Sequence, residues 1–166
     1  MRSCVLAVTL LATAWAQPDA LATSQQVVAQ LDRANEQMLM MAPSVFSKPI
    51  AEAVRRAAAE RRVQVFVLVS PTWVEAPGSY IASLALLGGV QVRLAETERR
   101  FVVVDVDSDA FVIEGGLVSE VTRRFDERPT YALAAPQEVQ DRAALFTQLW
   151  RAATPYRSFI DREDLP

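Results

Sequence analysis

Few residues in this chain can do acid–base or ligand chemistry. Across its 166 residues there is no histidine, one cysteine (Cys4), one lysine (Lys48) and one asparagine (Asn35). A Ser-His-Asp triad, a Cys-His pair, a His-ligated zinc and an imidazole acid or base are therefore excluded. Any catalysis must use carboxylates, arginines or hydroxyls. Carboxylates gather in one stretch as Glu98, Asp105, Asp107 and Glu114, and two of them held together would suit a hydrolase. Acidic groups beside strand ends are more often simply solvated, and that is the reading preferred here. The string Asp105-Val-Asp-Ser-Asp resembles the start of a calcium loop, which needs Gly at its sixth position and Glu at its twelfth. Those positions hold Ala110 and Gly116, so the string reads as a hairpin turn and no metal site is expected.

Arginines occur in pairs, Arg55-Arg56, Arg61-Arg62, Arg99-Arg100 and Arg123-Arg124. Together they would make an anion-binding surface, but the first two pairs share a helix with Glu52 and Glu60 and read as ordinary ion pairs. Trp73, Glu75 and Tyr80 lie in or beside a Pro71 to Pro77 loop that follows a strand, where open α/β sheets bind ligands. A loop packed down by its own aromatics accounts for them equally well. The formal charge of -3 with 51% apolar residues fits a packed core and points to no partner class.

The first 16 residues are set apart from the fold. Arg2, the apolar run from Cys4 to Ala14 and the small-x-small site Ala14-Trp15-Ala16 read as a secretory signal peptide. The run is shorter than the roughly 20 residues that span a bilayer, so no membrane span is expected after cleavage. The exported chain would lack cysteine and hence disulfides.

Hydrophobic periodicity then predicts the elements. Ser24 to Gln37 is an amphipathic helix on Val27, Val28, Leu31 and Ala34, capped by Thr23 or Ser24. Met38 to Ala42 is a buried strand. Ser47 caps a helix with Pro49 in its first turn and Ile50, Ala53, Val54, Ala57 and Ala58 on one face; Arg55, Arg56, Glu60 and Arg61 lie on the other. Val63 to Val69 is a central strand, and Ser79 starts a helix that ends in a left-handed cap at Gly88-Gly89. Val90 to Leu94 follows as a strand. This β-α-β-α-β order implies a parallel sheet with right-handed crossovers. Phe101 to Val106 and Ala110 to Glu114 form a hairpin across Asp107-Ser108-Asp109, Tyr131 to Ala134 adds a strand, and Gln137 to Ala153 closes the domain as a helix. Its buried stripe is Val139, Ala143, Phe146, Leu149 and Trp150. Residues 154–166 read as a loosely held tail, which leaves one domain over residues 17–153.

The order of these elements resembles one half of the phospholipase D-like superfamily. The passage from Lys48 through Ala58-Glu-Arg-Arg-Val-Gln-Val-Phe-Val-Leu-Val is similar to the superfamily's helix and strand of the type "plaeALrrAaerGV…VrvlvD", with Arg62 in the usual glycine position. Gly89-Val-Gln-Val-Arg, Phe101-Val-Val-Val-Asp-Val and Phe146-Thr-Gln-Leu-Trp-Arg-Ala-Ala resemble later strands and the terminal helix, so the likeness covers most of residues 22–153. The superfamily's chemistry resides in H-x-K-x-x-x-x-D. With Asp105 matched to the motif's aspartate, Arg100 falls on the lysine position and Glu98 on the histidine position; Gly115-Gly116-Leu117-Val118 falls on the downstream segment. The resemblance thus implies a mixed, mostly parallel α/β sheet flanked by helices, and a motif that is degenerate. An imidazole nucleophile cannot be replaced by Glu98 within the same chemistry, whereas Arg99 and Arg100 remain anion-binding candidates through the planar guanidinium.

The expectation is an exported, secreted or periplasmic domain that has lost catalysis and works as a binding or interaction module, without cofactor or metal. Its partner would be an anionic ligand or a protein, and nothing indicates nucleic acid. Active superfamily members join two halves, so a homodimer through the relict active-site face is expected. The alternative is an extracytoplasmic phosphodiesterase or nuclease with Asp105 as base and Arg100 as phosphate clamp.

Overall fold

The computed structural model describes residues 24–97, 101–106, 109–114, 130–133 and 136–157. The first helix, α1 (Ser24–Leu31), leads into β1 (Gln37–Met41), α2 (Lys48–Glu60), β2 (Gln64–Val69), the short α3 (Ile81–Ala85) and β3 (Val90–Leu94). The chain then forms β4 (Phe101–Val106), β5 (Asp109–Glu114), β6 (Thr130–Leu133), α4 (Pro136–Ala152) and β7 (Thr154–Pro155). Among the described residues the strands make one seven-stranded sheet in the order β6-β5-β4-β1-β2-β3-β7.

The sheet is mixed. β1, β2 and β3 are parallel, with Met38 opposite Val65 and Val67 opposite Val92. The remaining pairings, β1 with β4, β4 with β5, β5 with β6 and β3 with β7, are antiparallel. Parallel order therefore holds only where helical crossovers separate consecutive strands. Where only two residues separate consecutive strands, as between β4 and β5, only antiparallel pairing is within reach. The expected mixed α/β sheet flanked by helices is found, with the one difference that antiparallel pairings outnumber parallel ones.

Strand side chains alternate between two layers, as the pleat requires. Met38, Met40, Val65, Val67, Val69, Val90, Val92, Val102 and Val104 face α1, α2 and α3 in the larger core. Met41, Leu68, Phe101 and Val103 face the other way and meet Phe146 of α4 in a smaller one. Strands apolar on both faces are what a sheet covered on both sides demands. α2 buries Ile50, Ala51, Ala53, Val54, Ala57 and Ala58, the predicted stripe with one further alanine; its small side chains let the helix lie close to the sheet.

Several boundaries differ from the periodicity, each for a local reason. The first helix stops at Leu31 because Arg61 donates to the carbonyls of Leu31 at 3.1 Å and Ala34 at 3.3 Å, drawing the chain into a turn. The third helix is only five residues long and has Tyr80 as its N-cap residue; Ser79 contributes by accepting the Ile81 N–H at 3.3 Å. No left-handed glycine ends it: among the described residues positive φ occurs only at Arg62 (60°) and Gly78 (86°). Gly89 serves proximity instead, since a Cβ there would lie 3.2 Å from the Val63 carbonyl. Finally, the start of the supposed tail is structured. Thr154 and Pro155 pair with Leu94 and Arg93, the Tyr156 N–H donates to Val92 at 3.0 Å, and Tyr156 is buried.

Candidate functional site

The parallel strands β1, β2 and β3 all end on the same side of the sheet, and β4, running the other way, begins there, with Phe101 opposite Met41. Loops leaving the carboxyl ends of parallel strands converge on one crevice. Two of them are well described. The 42–47 loop after β1 and the 70–80 loop after β2 are tied together by Ser70 N–H to Pro43 O at 3.1 Å, Tyr80 N–H to Val45 O at 2.8 Å, and the Ser44 and Ser79 hydroxyls at 2.7 Å. Ser44, Ser47 and Ser70 are all buried there. Sequence reasoning gave Ser47 as a helix cap, a position it holds without a side-chain cap hydrogen bond, and passed over Ser44 and Ser70, although Pro43-Ser44 and Ser70-Pro71 are turn pairs.

The Pro71 to Pro77 loop proves to be packed down. Trp73 and Val74 N–H both donate to the Ser70 carbonyl at 3.1 Å, the Thr72 N–H donates to its hydroxyl at 3.3 Å, and Val74 is buried. The Tyr80 ring packs against the larger core. Trp73 alone among the loop's aromatics faces outward, with 52% of its surface exposed. The loop is therefore a fixed platform, and Glu75 on it is exposed and also engaged in an interaction.

Of the motif positions, Glu98, Arg99 and Arg100 lie outside the described residues, as do Asp107 and the segment 115–118. Asp105 is in β4, opposite Ala110. It stands four residues beyond Phe101, a Cα separation of about 14 Å at the usual strand rise. Glu114 pairs with Phe101 at the crevice end, so the backbone positions of Asp105 and Glu114 mark opposite ends of the hairpin. The Asp105-Val-Asp-Ser-Asp string joins β4 to β5 in register, with Val106 opposite Asp109. Among the described residues no cluster of His, Cys, Asp or Glu is arranged to hold a metal.

Both flanks of the 98–100 stretch are anchored to one residue. The Thr97 hydroxyl donates to the Met41 sulfur at 3.3 Å, and Phe101, fully buried, pairs with the Met41 backbone. Lys48 is exposed at the start of α2, on this same side of the sheet, while Asn35 precedes β1 on the opposite side. The five residues of β1 separate them, so they cannot together substitute for a lysine and an asparagine missing from one motif.

Of the other arginine pairs, Arg123-Arg124 lies outside the described residues, whereas Arg55, Arg56 and Arg61 make ties within the fold. Arg55 bonds Glu52 at 2.8 Å, and this hydrogen bond, reinforced by the guanidinium charge, holds the Glu52 carboxyl below its ordinary range. Arg56 reaches across to the turn that follows α1 and grips Asp32 through both carboxylate oxygens, at 3.0 Å and 2.8 Å. That hydrogen bond raises the Arg56 guanidinium further above its ordinary value. Arg56 and Arg61 are thus ties between helices, where the helical wheel gave them only an outer face.

No protein-family model and no curated protein matches the chain. Solved structures do. A phospholipase D family member, Nuc from Salmonella typhimurium, is 22% identical with a TM-score of 0.64, covering 80% of this chain and 89% of that one. NucT from Helicobacter pylori is 12% identical with a TM-score of 0.68 over the same shares. TrmBL2, an archaeal chromatin protein described as showing a novel mode of DNA binding, is 16% identical with a TM-score of 0.57, over 78% of this chain and 48% of its own. The chain thus has the same fold as Nuc, a phospholipase D family member, and as NucT, over 80% of its length.

Proposed function

We propose that this chain is a phospholipase D-like domain that has lost the superfamily's phosphoryl-transfer chemistry and works as a binding module at the carboxyl ends of β1, β2 and β3. The observation that carries this reading is the absence of histidine from the entire chain on a fold whose resemblance implies an imidazole nucleophile. The separation of Lys48 from Asn35 by the length of β1 supports it. Arg99 and Arg100 directly precede Phe101, the first residue of β4, in the sequence, and a guanidinium suits an anionic group held bidentately. An altered phosphodiesterase with Asp105 as base is disfavoured by the position of Asp105, four residues along β4 from the crevice end. We further propose that the domain is exported after loss of residues 1–16 and pairs with a second copy across this face.

The test is direct. The purified chain, beginning at Gln17, is incubated with an activated phosphodiester across pH 4 to 9, and is separately titrated with pyrophosphate and with a short DNA duplex by calorimetry. No turnover is expected, together with pyrophosphate binding that weakens about tenfold in Arg100→Ala, the loss of roughly 1.4 kcal/mol from one charge-assisted contact. Turnover abolished in both Arg100→Ala and Asp105→Ala would overturn the proposal. Binding of the duplex in preference to pyrophosphate would assign the face to nucleic acid.

A further inference from the structure

We draw no further inference here: the strongest candidate, the N-terminus of α2 with its buried, uncapped Ser47 and exposed Lys48, lies on the side of the sheet already given to the proposed binding face, and nothing in the structure aims the Ser47 hydroxyl at a ligand.

Discussion

Arg62 holds a backbone conformation that its side chain disfavours. At φ 60° its Cβ crowds the following carbonyl, a cost of about 1 kcal/mol that glycine does not incur. The conformation is required because α2 ends at Glu60 and the Val63 N–H must turn back to the Ala57 carbonyl, at 3.0 Å, before β2 starts. Arg62→Gly is therefore expected to stabilise the protein by about 0.5 kcal/mol at most, the relief being largely offset by the greater freedom of glycine in the unfolded chain. Urea unfolding monitored by circular dichroism reads the difference; a lower midpoint with an unchanged slope would show the strain argument to be wrong. Gly89 presents the opposite case. Its missing Cβ leaves room for the Val63 carbonyl and for Ala58, so Gly89→Ala should destabilise by about 1–2 kcal/mol through overpacking.

Between elements, a small number of arginines decide how the helices seat. Arg93 on β3 donates to the Trp150 carbonyl at 2.8 Å and lies 4.8 Å from that indole's centroid. The carbonyl belongs to the last turn of α4, where the helix dipole favours a cation. Trp150 in turn meets Phe66 edge-on and stacks on Phe146, both at 5.5 Å. Arg93→Ala is expected to cost about 1–2 kcal/mol, with Arg93→Lys recovering only part of it, since an ammonium keeps the charge but not the planar stacking. On the other face, Asp32→Ala removes the bidentate partner of Arg56. Both side chains are about one-third exposed, so solvent screening keeps the loss near 1 kcal/mol.

The pair on the outer face of α2 behaves differently with pH. Glu52 has its carboxyl pKa lowered by Arg55. Its contribution to stability is therefore present above the unfolded carboxylate pKa and fades as pH falls through the lower folded value. Thermal unfolding of the wild type and of Glu52→Gln should differ slightly at pH 7 and converge below about pH 4, the region where unperturbed carboxylates protonate. A gap that persists at pH 3 would place the effect outside the ion pair.

For the whole molecule, the proposed pairing of two copies makes a separate prediction. Light scattering on the chain from Gln17 onward should report a dimer, and substitutions on the crevice side of the sheet should shift it towards monomer. A strictly monomeric protein at all concentrations would remove the paired-half reading while leaving the fold intact. Among the described residues no helix is long and apolar enough to cross a membrane.

Much of this architecture could be read from local pattern. Apolar period fixed β3 and β4 to the residue, and the alanine-rich stripe of α2 was evident because a helix pressed against a sheet has room only for small side chains. The missing histidine is likewise a property of composition alone, and it governs the proposed function. What the one-dimensional pattern could not hold was distance. Asp105 and Arg100 are neighbours in a motif, but an extended strand carries a chain away at about 3.4 Å per residue, which takes Asp105 to the far end of the sheet from the crevice. Period-3.6 geometry gives a face for Arg56 and Arg61 but not the Asp32 carboxylate and the Leu31 and Ala34 carbonyls, at and just beyond the end of α1, that they meet. Nor did polarity reveal that Thr154 and Pro155 add a strand to the edge of β3, because pairing with an edge needs only free backbone groups and carries no side-chain signature. Sequence determined the elements and the chemistry denied to them; tertiary structure decided which ends of those elements share a place, since that depends on strand direction and crossover, which no local pattern encodes.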